Sequence, residues 1–156
     1  MNRLLLLLIT ALATAPLATF AAAPSQAPQA SEKKVPARQG KLVFVSTTGL
    51  EDLGTLSSSL RHAKAAKESG YLSDVVWLTY GRAIVVLDPT VKAVPESIRK
   101  EAQDAKDAGV RLVACGNALG KFDIDPKKLQ PQVEVVDNGV AELSRLVAEG
   151  YQVIRY

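Results

Sequence analysis

From residue 41 onward, short runs of aliphatic residues alternate with longer segments of helical period. This alternation restricts the possible fold more than any other feature of the chain. "KLVFV" (41–45), "DVVWLTY" (74–80) and "VRLVAC" (110–115) are nearly continuous apolar runs, the pattern of strands buried on both faces. "QVEVVD" (132–137) and "YQVIRY" (151–156) supply a fourth and a fifth strand. Between the first two, Leu53, Leu56, Leu60 and Ala63 recur every three or four residues and Gly70 follows. Ile98, Ala102 and Ala105 repeat the period between Pro95 and Gly109. Both stretches predict helices, the second with proline near its start and both with glycine at their end. A further helix is predicted from Asn138 to Glu149, with Val140, Leu143 and Val147 inward and Gly150 after it. "GRAIVVLDP" suits a short helix or a strand, and Pro89 ends it either way. Alternating strands and helices imply right-handed crossovers between parallel neighbours. The expected fold is a three-layer α/β/α sandwich with a mainly parallel five-stranded sheet.

The first forty residues read differently. Met1-Asn2-Arg3 is a short basic start, an apolar stretch runs from Leu4 to Leu17, and small residues follow in "ATFAAAP". This is the layout of a secretory signal peptide, and the apolar run is too short for a stable membrane span. Phe20 is too large for the −3 pocket of the peptidase, so the expected cut follows Ala21, with Thr19 at −3. No cysteine lies near that cut to carry a lipid. The expected organisation is a signal peptide at 1–21, a Pro/Ala/Ser/Gln-rich disordered linker at 22–40 and one domain at 41–156. A periplasmic or secreted location follows, without stable membrane insertion.

Charge narrows the function. The chain's formal net charge is +3, yet residues 41–156 carry fifteen basic and fifteen acidic side chains. The excess lies in the leader and the linker. A domain that neutralises phosphates needs a clustered basic field; a neutral one makes nucleic acid an unexpected partner.

Parallel sheets carry their chemistry at the carboxyl ends of the strands, where two loops qualify. In "STTGLEDLG" (46–54), Glu51 and Asp52 suit the start of an unliganded helix but would repel the phosphate of a flavin. No cofactor is expected there. His62 is the only histidine and falls on the polar side of its helix; alone it makes neither a metal site nor a Ser-His-Asp arrangement. Trp77 and Tyr80 read as core aromatics. The second loop, "CGNALGKF" (115–122), opens on Cys115, the only cysteine. An exported chain with one cysteine cannot close an internal disulfide. Gly116 allows backbone or substrate to approach closely. A short helix predicted just after it would point N–H groups that favour a thiolate, and Lys121 adds positive charge nearby. The alternative is a small buried hydrophobe at a strand end.

The succession "KLVFVSTTG", a helix, the strand with Trp77, "GRAIVVL", a helix, "AGVRLVACGNAL", "VEVVDNGVAEL" and "EGYQVI" resembles the DsrE/DsrF-like family. The most specific stretches are "GVRLVACGNAL" and "VVDNGVAELSRLVAEGY". The resemblance implies an α/β domain with a largely parallel five-stranded sheet, assembly as a trimer or hexamer, and transfer of sulfur as a cysteine persulfide. It maps the sulfur-accepting cysteine onto Cys115; the residues around it supply the expected support, the N–H groups after Gly116, the Asn117 amide and the charge of Lys121. The expected function is a periplasmic sulfur carrier that exchanges sulfur with donor and acceptor proteins or small thiols, needing neither cofactor nor metal. "CGNALGK" lacks the arginine of rhodanese-type loops, which favours a relay over an autonomous enzyme. The competing reading is a non-catalytic oligomeric binding module with a structural cysteine. The aliphatic "GRAIVVL" stretch, through Ile84, Val85 and Leu87, is the expected subunit interface, the alternative being burial in the monomer's own core.

Overall fold

The computed structural model describes residues 40–156. The signal peptide and almost all of the linker lie outside the described residues. Gly40, the last residue assigned to the linker, is already the first residue of β1, paired with Leu72.

The chain runs β1 (Gly40–Ser46), α1 (Leu53–Glu68), β2 (Leu72–Thr79), a 3-10 helix (Gly81–Leu87), α2 (Glu96–Asp107), β3 (Arg111–Cys115), α3 (Gly116–Lys121), a 3-10 turn (Pro126–Lys128), β4 (Glu134–Val136), α4 (Gly139–Ala148) and β5 (Gln152–Arg155). The five strands form one fully parallel sheet in the order β4-β3-β2-β1-β5. The first four strands are laid down side by side in one direction, and the last returns to pair with β1.

Strand alternation divides the core into two layers. Phe44, Trp77, Leu112 and Ala114 face α1, α2, α3 and the first 3-10 helix. Val43, Val45, Val76, Leu78 and Val113 face the other way, against Leu146 of α4 and Tyr151. Trp77 is fully buried, and its indole N–H donates to Ser59 Oγ at 3.0 Å. That bond lets the largest core side chain keep its polar atom away from water.

Two expectations are corrected here. Ile84 and Leu87 are fully buried and Val85 is partly buried against the same core. The "GRAIVVL" stretch is therefore a 3-10 helix packed inside the monomer, and its aliphatic content is core, not interface. On α4, Val140 and Val147 are 58% and 49% exposed, whereas Leu146 is fully buried and Gly139 faces the sheet. Leu143 is partly buried, as expected. Gly139, Leu143 and Leu146 fit the helical period as well as the expected triplet does, and contact with the end of β3 selects the former.

At the amino ends of the strands, Arg111 on β3 bridges its two neighbours. It gives Glu134 on β4 two hydrogen bonds of 2.9 and 2.7 Å and Asp74 on β2 one of 3.1 Å. Tyr151 donates its hydroxyl to Asp74 at 2.5 Å. Burial pushes the Asp74 carboxyl up, but the hydrogen bonds from Tyr151 and Arg111 and the guanidinium charge outweigh it and leave the group below its usual range. Burial and the same carboxylate push the Tyr151 phenol up to about 12. A lowered carboxyl contributes stability above its unfolded value of about 3.9 that is lost as pH falls through the folded one. A raised phenol contributes stability below about 10 that is lost as pH rises toward 12. The stability gap between the protein and Asp74→Asn should therefore be constant near neutrality, then shrink below about pH 4 and above about pH 10. Denaturant titrations across pH measure it, and a gap that persists unchanged at pH ~2 would contradict the assignment.

Candidate functional site

Cys115 closes β3 and serves as the residue before the first turn of α3. α3 leaves toward the α1/α2 face, whereas the chain leaving the adjacent strand β4 enters α4 on the opposite face. Connections that part between neighbouring strands open a crevice at their carboxyl ends, where ligands of parallel sheets collect. The thiol stands at that crevice.

The residue is only 5% exposed. Its Sγ accepts the backbone N–H of Gly139, the first residue of α4, at 3.1 Å. The rest of that helix start is also satisfied. Asn138 Oδ1 accepts from Val140 and Ala141 N–H at 2.9 and 3.1 Å, and the Asn138 carbonyl accepts from Glu142 at 3.0 Å. The sulfur is thus one of the caps of α4, held at the positive end of a ten-residue helix.

Both glycines beside the thiol exist for close approach. A Cβ on Gly139 would stand 3.0 Å from Cys115 Cβ and 3.2 Å from two atoms of Tyr80. A Cβ on Gly116 would stand 3.1 Å from the Val136 carbonyl. Gly116 therefore accommodates the backbone of the β4–α4 connection, not substrate. The N–H donor to sulfur was expected from the turn after Gly116, but Asn117 N–H instead donates to the Asp137 carbonyl at 3.2 Å. The group that faces the sulfur comes from twenty-four residues later.

A shallow cleft of about 330 Å³ opens over Cys115, walled by Tyr80, Asn117, Lys121, Asn138 and Val140, with Gly81 and Ala118 completing it. Of the expected supporting residues, Asn117 and Lys121 line this cleft and Gly116 does not. Tyr80, read from sequence as core, is a partly buried wall of it. Asn138, Gly139 and Val140 were not singled out. Their signal was "DNG" after "VEVV": a capping residue and a glycine where a strand end turns into a helix, at the same edge as Cys115. A larger cleft of about 440 Å³ runs beside α2 near Pro89 and Gln130. It holds no thiol or histidine.

The first loop is closed. Asp52 accepts from the backbone and hydroxyl of Thr55 at 3.0 and 2.7 Å, capping α1. Glu51 accepts the Gly49 N–H at 3.1 Å and pairs with Arg82 at 2.7 Å. The two carboxylates occupy the position a phosphate would need. His62 is exposed, with its Nδ1 2.5 Å from the Tyr156 hydroxyl. Among the described residues there is no cluster of three His, Cys, Asp or Glu able to hold a metal, and no helix is long and apolar enough to cross a membrane.

The sequence model of the DsrE/DsrF-like family matches residues 40–156. Curated proteins gave no match. Among solved structures, the chain is similar to the ychN protein of E. coli, with a TM-score of 0.64 and 19% identity over 76% of this chain and 100% of that one. A protein of unknown function from Methanobacterium thermoautotrophicum gives a TM-score of 0.59 and 24% identity over 76% and 100% of the two chains. A conserved protein of unknown function from Bacteroides thetaiotaomicron gives 0.59 and 15% over 74% and 94%. Similarity at these identities establishes the shared fold.

Proposed function

This chain belongs to the DsrE/DsrF-like family, and on that premise we propose that it is a sulfur carrier of the periplasm or cell exterior, holding sulfur as a persulfide on Cys115. One observation carries the reading. The only thiol accepts an N–H from the start of α4 while standing at the mouth of a cleft. A backbone donor aimed at sulfur stabilises negative charge there, which both the attacking thiolate and the departing thiolate require. The low exposure of Cys115 protects the thiol from oxidation beyond the persulfide. An added outer sulfur would extend about 2 Å further, into the cleft. The protein needs no cofactor for this exchange and acts as a relay between a donor and an acceptor. Export rests on the leader at 1–21, with 22–39 as tether and the sulfur-carrying domain from Gly40 onward.

Assembly into a trimer or hexamer belongs to the same proposal, with its surface moved. With "GRAIVVL" buried, the exposed large apolar side chains among the described residues are Val140 and Val147 on α4, Val153 and Ile154 on β5, Val135 on β4, Leu53 at the start of α1 and Tyr71 between α1 and β2. Val140 also lines the cleft, so a neighbouring subunit seated on α4 would form part of its rim.

The second reading, a structural cysteine in a binding module, is favoured by one fact: Sγ caps α4. The two part on intact mass. Protein purified without reductant from its native compartment should carry a fraction about 32 Da heavier, located on Cys115 and removed by dithiothreitol. A single unmodified mass, unchanged after exposure to a persulfide donor, would favour the structural role.

A further inference from the structure

Lys121 is the only charged residue lining the Cys115 cleft, and among the described residues it enters no ion pair. The remaining polar groups are amides. Asn138 commits its carbonyl oxygen to α4, so its NH₂ is the end left to donate. Asn117 spends only its backbone N–H, on Asp137. The cleft therefore presents one ammonium and two amides able to donate, with no carboxylate in its wall. Such a lining favours an anionic ligand over a cationic one.

Size limits what carries the anion. Cys115 is 5% exposed and lines a shallow cleft of about 330 Å³, a volume that suits a small molecule. Lys121 ends α3, six residues beyond Cys115. At 1.5 Å rise per residue, its backbone lies about 9 Å along the helix, and its flexible side chain shortens that span.

We propose, resting on the persulfide reading above, that the direct sulfur donor is a low-molecular-weight thiol persulfide bearing a carboxylate, such as an acidic aminothiol or a small thiol peptide. Lys121 and the two amides hold the carboxylate while the Cys115 thiolate attacks the outer sulfur of R–S–SH. The Sγ–S bond forms as the donor's S–S bond breaks, and R–S⁻ leaves with the electron pair. The proton of the outer sulfur stays with it or passes to solvent. The products are Cys115–S–SH and R–S⁻, with no net oxidation and no further reactant. Lys121 is a specificity-determining residue in this scheme.

The test loads the full mature chain with the persulfides of N-acetylcysteine and of its uncharged amide, nearly the same size but differing by one charge. Intact mass at low salt follows the added sulfur. The acid should load faster, by about fivefold, as expected for one exposed charge pair, and the preference should fade as salt rises. Lys121→Gln should abolish the preference and Lys121→Glu should invert it, while loading with the neutral donor changes little. Equal rates for the two donors in the parent protein would overturn the proposal while leaving the carrier reading intact. A preference that survives Lys121→Gln would overturn the role of Lys121. Loading from a persulfidated donor protein but from neither small persulfide would overturn the small-molecule assignment. Failure to load from any source would remove the carrier reading itself.

Discussion

Gly139→Val should destabilise the domain by about 2–4 kcal/mol and slow sulfur loading of Cys115 by an order of magnitude or more. In most helices, replacing glycine by a residue with a side chain is neutral or favourable, because glycine loses more backbone freedom on folding. Here the sign reverses. The first side-chain carbon would already lie 3.0 Å from Cys115 Cβ and 3.2 Å from Tyr80 Cβ and Cδ1. Valine adds two methyl groups beyond a first carbon that is already tightly placed. α4 must then tilt away from the sheet end, and the 3.1 Å bond from Gly139 N–H to Sγ goes with it. Overpacking supplies about 1–3 kcal/mol of the loss and the broken bond roughly another 1. Denaturant unfolding measures the stability, and persulfide loading followed by mass measures the rate. A variant of unchanged stability would mean that α4 can slide freely over β3, and the cap would not be what sets their spacing.

Cys115→Ala and Cys115→Ser should separate the two things the sulfur does. Neither variant can hold a persulfide, so loading is lost in both. Their stabilities should differ. Alanine leaves the Gly139 N–H facing a buried site with no acceptor, a loss of about 1–3 kcal/mol. For a domain of this size that lowers the melting temperature by roughly 5–15 °C. Serine keeps an oxygen acceptor at the same Cβ and should recover much of the difference. Equal melting temperatures for the two variants would show that the N–H to sulfur contact contributes nothing to the fold.

The parallel sheet and the first two helices were legible because their signal is local. Val43, Val76 and Val113 sit in runs with no polar alternation, and α1 and α2 bury Leu56, Leu60, Ala63, Ile98, Ala102 and Ala105 as their periods predict, while Leu53 in the first turn of α1 stays 41% exposed. "GRAIVVL" escaped because a 3-10 helix repeats every three residues and can turn Ala83, Ile84, Val86 and Leu87 inward together. An aliphatic run of that kind looks like surplus surface until α2 is packed against it. The rotation of α4 was not legible at all. Two triplets fit its period, and the choice between them is made by Cys115 at the end of β3 and Tyr80 just after β2. The site followed the same division. Cys115 could be picked out as a thiol at a strand end, and Lys121 and Asn117 as its sequence neighbours. Gly139 could not, because the contact that matters spans twenty-four residues and exists only once β4 pairs with β3. The turn nearest in sequence spends its donor on Asp137 instead.

In the proposed function Cys115 passes sulfur on and does not merely hold it. A stoichiometric discharge experiment tests this. The protein is loaded with isotopically labelled outer sulfur, freed of donor, and mixed with an acceptor thiol, while the masses of the Cys115 peptide and of the acceptor are followed together. The peptide should lose the labelled atom, about 34 Da for sulfur-34, as the acceptor gains the same mass, with no loading and no transfer in Cys115→Ser. A label that never leaves Cys115, or an acceptor that gains sulfur equally from the serine variant, would contradict it.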